Sequence, residues 1–126
     1  MHTIRIKRIY EPSARADGYR VLVDRLWPRG IKKEDAHIHN WEKEVGPSQE
    51  LRKWFGHDPE KWESFRKKYL AELKVSDAIG HLVEELRQHK TVTLIYGAHD
   101  AEHNNAVVLQ EFLEKGVKGE AGHEFG

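Results

Sequence analysis

Two short apolar runs limit what this chain can become. Val21, Leu22 and Val23 are unbroken by a polar residue, and "TVTLIYG" at residues 91–97, apolar apart from its threonines, reads as a second buried strand. A strand with one wet face alternates, whereas a continuous run is how a strand covered on both faces of a parallel sheet reads. Parallel neighbours cannot be joined by a hairpin, so the segment between them must carry a right-handed crossover, normally helical. That segment contains the helices. In "HDPEKWESFRKKYLAEL", Asp58 at the N-cap and Pro59 at the first helical position open a helix whose Trp62, Phe65, Tyr69, Leu70 and Leu73 recur at helical spacing. Another, with Ile79, Leu82, Val83 and Leu86 inside, starts at Ser76 or Asp77 and ends near His89 and Lys90, slightly weakened by Gly80. The expected fold is α/β: a small, mostly parallel sheet with helices packed on it, in a single domain.

The remaining segments fit around that frame. Ile4 and Ile6 alternate with Arg5 and Lys7, so Thr3 to Ile9 reads as a first strand. The loop that follows has turn chemistry at Pro12, Ser13, Asp17 and Gly18. Residues 31–49, with Ile38, Trp41 and Val45 as their spaced apolar anchors, read as an excursion from the frame. Ser48 is an N-cap for a short helix bearing Leu51, Trp54 and Phe55. The last helix is expected to be capped by Asp100 and closed by Gly116, with Ala106, Leu109, Phe112 and Leu113 inward. Residues 1–116 then make the domain, and 117–126 a flexible C-terminal tail.

Composition excludes several classes of function. Lys plus Arg and Asp plus Glu both number 21, so there is no overall field to hold nucleic acid or an acidic membrane, and a basic site must be local. The chain has no cysteine, which removes disulfides, thiol catalysis and thiolate metal sites. With no signal-like or membrane-length apolar segment, the expected address is cytoplasmic. No glycine-rich nucleotide fingerprint, Walker loop or serine elbow occurs, and no cofactor is expected.

If the two buried strands run parallel, their C-terminal ends emerge on one edge of the sheet, where open α/β sheets bind ligands. One of those ends runs straight into "DRLWPRG". Arg25 and Arg29 offer two guanidinium forks suited to phosphate or carboxylate. Asp24 could orient an arginine or act as a base, Trp27 and Tyr96 could pack on a ligand, and Asn104 could hydrogen-bond it. Unpaired N–H groups at the start of the last helix, near Ala101 to His103, would seat the anion. Each piece also has a plainer use: Asp24 with Arg25 as an ion pair tying strand to loop, Trp27-Pro28 as a core plug and rigid turn, Asp58 and Asp100 as caps. His99 and His103 stand four apart, but only His103 would lie within the helix, and nine histidines make chance spacing easy, so no metal is expected.

"GYRVLVDRLWPRGIKKED", "ELRKWF", "FRKKYLAEL" and "TLIYGAHDAEHNNAVVLQEFL" together resemble the YeaO-like branch of the bacterial family called domain of unknown function 488, from Ile6 to about Leu113. The resemblance implies a small cytosolic bacterial α/β protein without an established activity, some of whose relatives carry a transcription-regulator label. The family pattern falls on Asp24, Arg25, Trp27, Pro28, Arg29 and Gly30, and then on Tyr96, Ala98 and Asn104. His99 and His103 stand where related sequences can have lysine and glutamine, which sets a histidine metal site further aside. A more distant branch has a cysteine motif near the end of the equivalent last strand, and this chain lacks it. The expectation is therefore a binding or catalytic pocket for a small anionic ligand, phosphorylated or nucleotide-like, with the question of enzyme activity left open. The alternatives are an interaction module presenting Trp41, Trp54 and Phe55, or a nucleic-acid-binding regulator, disfavoured by the zero net charge and the absence of a helix-turn-helix signature.

Overall fold

The computed structural model describes residues 3–119. Its elements in chain order are β1 (Thr3–Arg8), β2 (Tyr19–Leu22), α1 (Lys33–Ala36), β3 (Asn40–Trp41), α2 (Gln49–Phe55), α3 (Trp62–Lys74), α4 (Asp77–Leu86), β4 (Thr91–Tyr96) and α5 (Asn105–Gly119). The four strands form one all-parallel sheet in the order β1-β4-β2-β3. The two apolar runs are thus its inner strands, with Val21 opposite Leu94 and Leu22 opposite Ile95.

Both faces of those inner strands are buried, which is the physical content of an apolar run without alternation. Val21, Val23, Val92, Leu94 and Tyr96 join the larger core with Phe65, Tyr69 and Leu109 from the helices. Leu22 and Ile95 point the other way, into a smaller cluster with Ile9 and Ala36, against which Trp27, Ile38 and Trp41 pack. Residues 31–49 are therefore more than an excursion: they cover the second face and add the two-residue strand β3, whose length leaves no periodic signal to read. Tyr69, fully buried, donates its hydroxyl to the Val45 carbonyl at 2.5 Å and ties this segment to α3.

Helix boundaries follow local chemistry. The Ser48 hydroxyl caps α2 by accepting from the Leu51 N–H, and Gly56 ends it in the left-handed conformation, φ +52°. Asp58 accepts from the Glu60 N–H, but it opens a 3-10 turn over Pro59–Lys61 that leads into α3. Helix α5 starts later and ends later than the sequence suggests. It begins at Asn105, where Asn104 Oδ1 accepts from the Val107 N–H, and it continues through Gly116 to Gly119. Gly116 is tolerated within the helix at a cost of about 1 kcal/mol relative to alanine. Residues 117–119 are thus helical, and the rest of the expected tail, 120–126, lies outside the described residues.

Candidate functional site

The C-terminal ends of β2 and β4 finish side by side. Beyond the last ladder pair the Val23 N–H still bonds the Ile95 carbonyl at 3.0 Å, so Asp24 and Gly97 emerge together. The Gly97 N–H donates to Asp24 Oδ2 at 2.9 Å. A side chain at Gly97 would crowd this contact, since a Cβ there would lie 3.2 Å from the same oxygen. Asn105, at the first turn of α5, donates from Nδ2 to Asp24 Oδ1 at 3.1 Å. Strand end, strand end and helix start are joined through one carboxylate. Burial pushes the Asp24 carboxyl above the ordinary aspartate range, against the lowering pull of these two hydrogen bonds and of the positive charges of His57 and Arg52.

A cleft of about 810 Å³ opens at this edge. Among the expected site residues, Asp24, Arg25, Trp27, Arg29 and Asn104 line it. Tyr96 does not; it is 2% exposed, within the main core, and burial raises its phenol.

Arg25 and Arg29 have different tasks. Arg25 turns back to the chain: its Nε donates to the Pro47 carbonyl at 3.0 Å and its Nη2 to the Gly46 carbonyl at 2.9 Å. It faces Glu44 at 3.4 Å and forms no ion pair with Asp24, so the pairing suggested by their adjacency is replaced by a tether across the loop. Gly46 permits the approach, because a Cβ there would sit 3.0 Å from the Arg25 backbone nitrogen. Arg29 is exposed, and its guanidinium makes no hydrogen bond or ion pair among the described residues. Its carbonyl accepts from the Tyr10 hydroxyl at 2.8 Å, which fixes the backbone.

Trp27 is both plug and wall. Its indole N–H donates to the Ile31 carbonyl and its ring meets Trp41 edge-on at 5.4 Å, while one side lines the cleft. Asn104 is 2% exposed and largely spent on the backbone, accepting from Val107 and donating to the Asp100 carbonyl at 2.8 Å.

The expected amide seat is occupied by the protein itself. Asp100 caps a turn ahead of α5, with Oδ1 accepting from the Glu102 and His103 N–H groups at 2.9 and 3.0 Å. His103 Nδ1 lies 2.8 Å from the other oxygen, and its ring sits edge-on to Trp62. These backbone and imidazole contacts hold the Asp100 carboxyl below its usual range. His99 approaches Arg8 instead, at 3.4 Å. Among the described residues no three His, Cys, Asp or Glu side chains gather where an ion could sit.

The most informative cation is one that sequence reasoning passes over. Arg52, on α2 between the inward Leu51 and Phe55, lines the cleft, and its buried Nε has no hydrogen-bond partner among the described residues. The signal that could have found it is its place beside two core positions of a capped helix, which restricts where its side chain can go. Asn105 is overshadowed by its neighbour in "HNN". His57 also lines the cleft, in the left-handed conformation at φ +59°, a rare state for a non-glycine residue. Of the aromatics expected at an interface, Phe55 is buried and Trp41 donates its indole N–H to the Asp24 carbonyl. Trp54 is 40% exposed, with the Lys61 and Lys68 ammonium groups near its ring. No helix among the described residues is long and apolar enough to cross a membrane.

Comparison with known proteins places this geometry in a family. The uncharacterised protein YeaO of Escherichia coli is 44% identical over 110 residues, covering 87% of this chain and 96% of its own. Uncharacterised proteins of Mycobacterium tuberculosis and Mycobacterium bovis are each 40% identical over 110 residues, covering 87% of this chain and 92% of theirs. No solved structure matches the chain. Residues 3–124 match the family described as the inactive DUF488-N3 subclade. With that match and the "VDRLWPRG" edge of a parallel sheet, the chain belongs to the YeaO-like branch of the DUF488 family.

Proposed function

We propose that this protein binds a small anionic ligand, phosphorylated or nucleotide-like, in the cleft at the C-terminal edge of its sheet, and that it binds without transforming it. Arg52 carries the proposal. Its Nε is buried without a partner, its Nη groups likewise make no hydrogen bond among the described residues, and a ligand oxygen entering the cleft is an acceptor for this guanidinium. Arg29 adds a second unpaired guanidinium, and the planar fork of arginine matches phosphate oxygens two at a time. That it binds without transforming its ligand is in keeping with the description of the subclade as inactive, and among the described residues the cleft lining includes no serine, threonine, cysteine or lysine.

Thermal unfolding in the presence of inorganic phosphate, pyrophosphate, sugar phosphates and nucleotides tests this. A ligand at a hundred times its Kd adds about 2.7 kcal/mol of stability, which moves the midpoint by several degrees. The expected result is a concentration-dependent rise for at least one phosphate compound, lost in Arg52→Gln. A flat response across the panel, or a rise indifferent to that substitution, refutes the proposal.

A further inference from the structure

The cleft contains an acceptor as well as cations. Asp24 is aligned by one donor on each oxygen, Gly97 N–H on Oδ2 and Asn105 Nδ2 on Oδ1. A carboxylate has about four acceptor positions, so roughly two stay open. No cation closes on it: Asp24 forms no ion pair among the described residues, although the charges of His57 and Arg52 act on it. For a site that took a bare anion this would be a fault, because a second negative group brought near a part-buried carboxylate is repelled. The fault disappears if the ligand presents donors at that end.

One wall of the cleft therefore offers a guanidinium without an acceptor, and its floor offers a carboxylate with open lone pairs. A small molecule that satisfies both carries an anion and hydroxyl or amino donors on one scaffold. Two neighbouring hydroxyls suit Asp24 best, since a carboxylate accepts two parallel donors at once, as it does from arginine. His57, His99, Asp100 and Asn104 also line the cleft, and the rest of its lining includes apolar and aromatic side chains. Leu26 is 60% exposed and Tyr10 44% exposed at the rim, the Tyr10 ring lying 4.8 Å from the Arg8 guanidinium, and Pro28 and Phe55 line the space further in. A cleft of about 810 Å³ is within the range of sites that hold whole cofactors and is far larger than a lone phosphate requires.

Resting on the anion-binding role of the same cleft, the geometry points to a phosphomonoester bearing a vicinal diol, with its phosphate on Arg52 and Arg29 and its two hydroxyls on Asp24. A ribonucleoside monophosphate has this chemistry with a base for the apolar rim; a sugar phosphate has it without one.

Isothermal titration of the full chain with AMP, GMP, CMP and UMP, with their 2′-deoxy counterparts, and with ribose 5-phosphate and inorganic phosphate tests the assignment. At least one ribonucleotide should bind about tenfold or more tightly than its deoxy form and than phosphate, as expected for a hydrogen bond to a charged group. Asp24→Asn should bring the ribo-to-deoxy ratio close to one, and Arg52→Gln should abolish binding of both. Ribose 5-phosphate matching the best ribonucleotide supports the diol and assigns its source to a sugar phosphate. Equal binding of ribo and deoxy forms, lost in Arg52→Gln, overturns the diol while the anion cleft stands. No binding of any probe at millimolar concentration overturns both. If Asp24→Asn does not fold, the ribo-to-deoxy ratio of the unaltered protein decides.

Discussion

Replacing Arg20 with methionine should cost this fold about 3–5 kcal/mol at neutral pH, the range for breaking one side of a buried ion pair. Arg20 is 3% exposed and Asp17 5%. The guanidinium donates to Asp17 Oδ2 at 2.6 Å, to the His37 carbonyl at 2.9 Å and to the Ala36 carbonyl at 3.0 Å. It thus holds the residues around α1, which cover the second face of the sheet, against the turn at residues 15–17. Methionine keeps the packing volume but leaves two carbonyls without this donor, and Asp17 with Lys7 and the Ala14 N–H. The pH dependence is the sharper signature. Burial alone would raise the Asp17 carboxyl, yet the Ala14 N–H, Lys7 and Arg20 together hold it below the ordinary value of 3.8. A depressed carboxylate contributes stability above its unfolded pKa and loses it as pH falls through its folded one. The deficit of Arg20→Met should therefore be full at pH 7 and smaller at pH 3, with part surviving because the two carbonyls stay unpaired. Urea unfolding of both proteins at the two pH values measures this. A deficit under about 1 kcal/mol, or one independent of pH, would show that the pair does not act as described.

Three further substitutions probe other parts of the structure. Gly97→Ala places a Cβ 3.2 Å from Asp24 Oδ2 and 3.6 Å from Pro28 Cβ, so the carboxylate must shift; stability should fall by about 1–3 kcal/mol and the thermal response to phosphate compounds should shrink, and an unaltered response counts against Asp24 as a contact. Tyr69→Phe removes a fully buried hydroxyl and leaves the Val45 carbonyl without it, for a loss of about 1–3 kcal/mol in chemical denaturation; a neutral result would mean that the carbonyl finds another donor. Glu42 is held above the ordinary glutamate range by burial and by Glu85, whose carboxylate shares the Asn40 amide with it at 2.5 and 2.7 Å. A raised carboxyl is a liability once ionised, so stability falls as pH climbs through its folded value; Glu42→Gln should be more stable than the parent at pH 8 and lose that advantage at pH 4, and an equal difference at both values would mean that neither burial nor Glu85 raises this carboxyl.

Some of this was legible residue by residue. The unbroken Val21-Leu22-Val23 run told of a strand covered on both faces, because burial on both sides leaves no position for a polar residue, and Leu22 does point away from Val21 and Val23. Ser48 marked the start of α2 through its own hydroxyl. β3 was not legible, since two residues carry no period and the strand exists only because β2 offers an edge. The start of α5 was misplaced for a chemical reason: Asp100 caps the isolated turn at Glu102 and His103 with the same side-chain oxygen that would cap a helix, and a string of letters does not separate the two.

Sequence alone determined the α/β class and the edge where "DRLWPRG" meets the end of β4, because strand burial and crossover connection are set by which residues are apolar and how far apart they lie. It also determined that no thiol acts in this chain. Tertiary structure alone decided which arginines in the cleft lining are left without an acceptor. A guanidinium goes where acceptors are, and the carbonyls of Gly46 and Pro47 that claim Arg25 come from residues about twenty positions away, brought over the strand end by the chain's path. Arg52 Nε has no such acceptor among the described residues, and its unpaired charge is what makes this edge of the sheet a binding site to be tested.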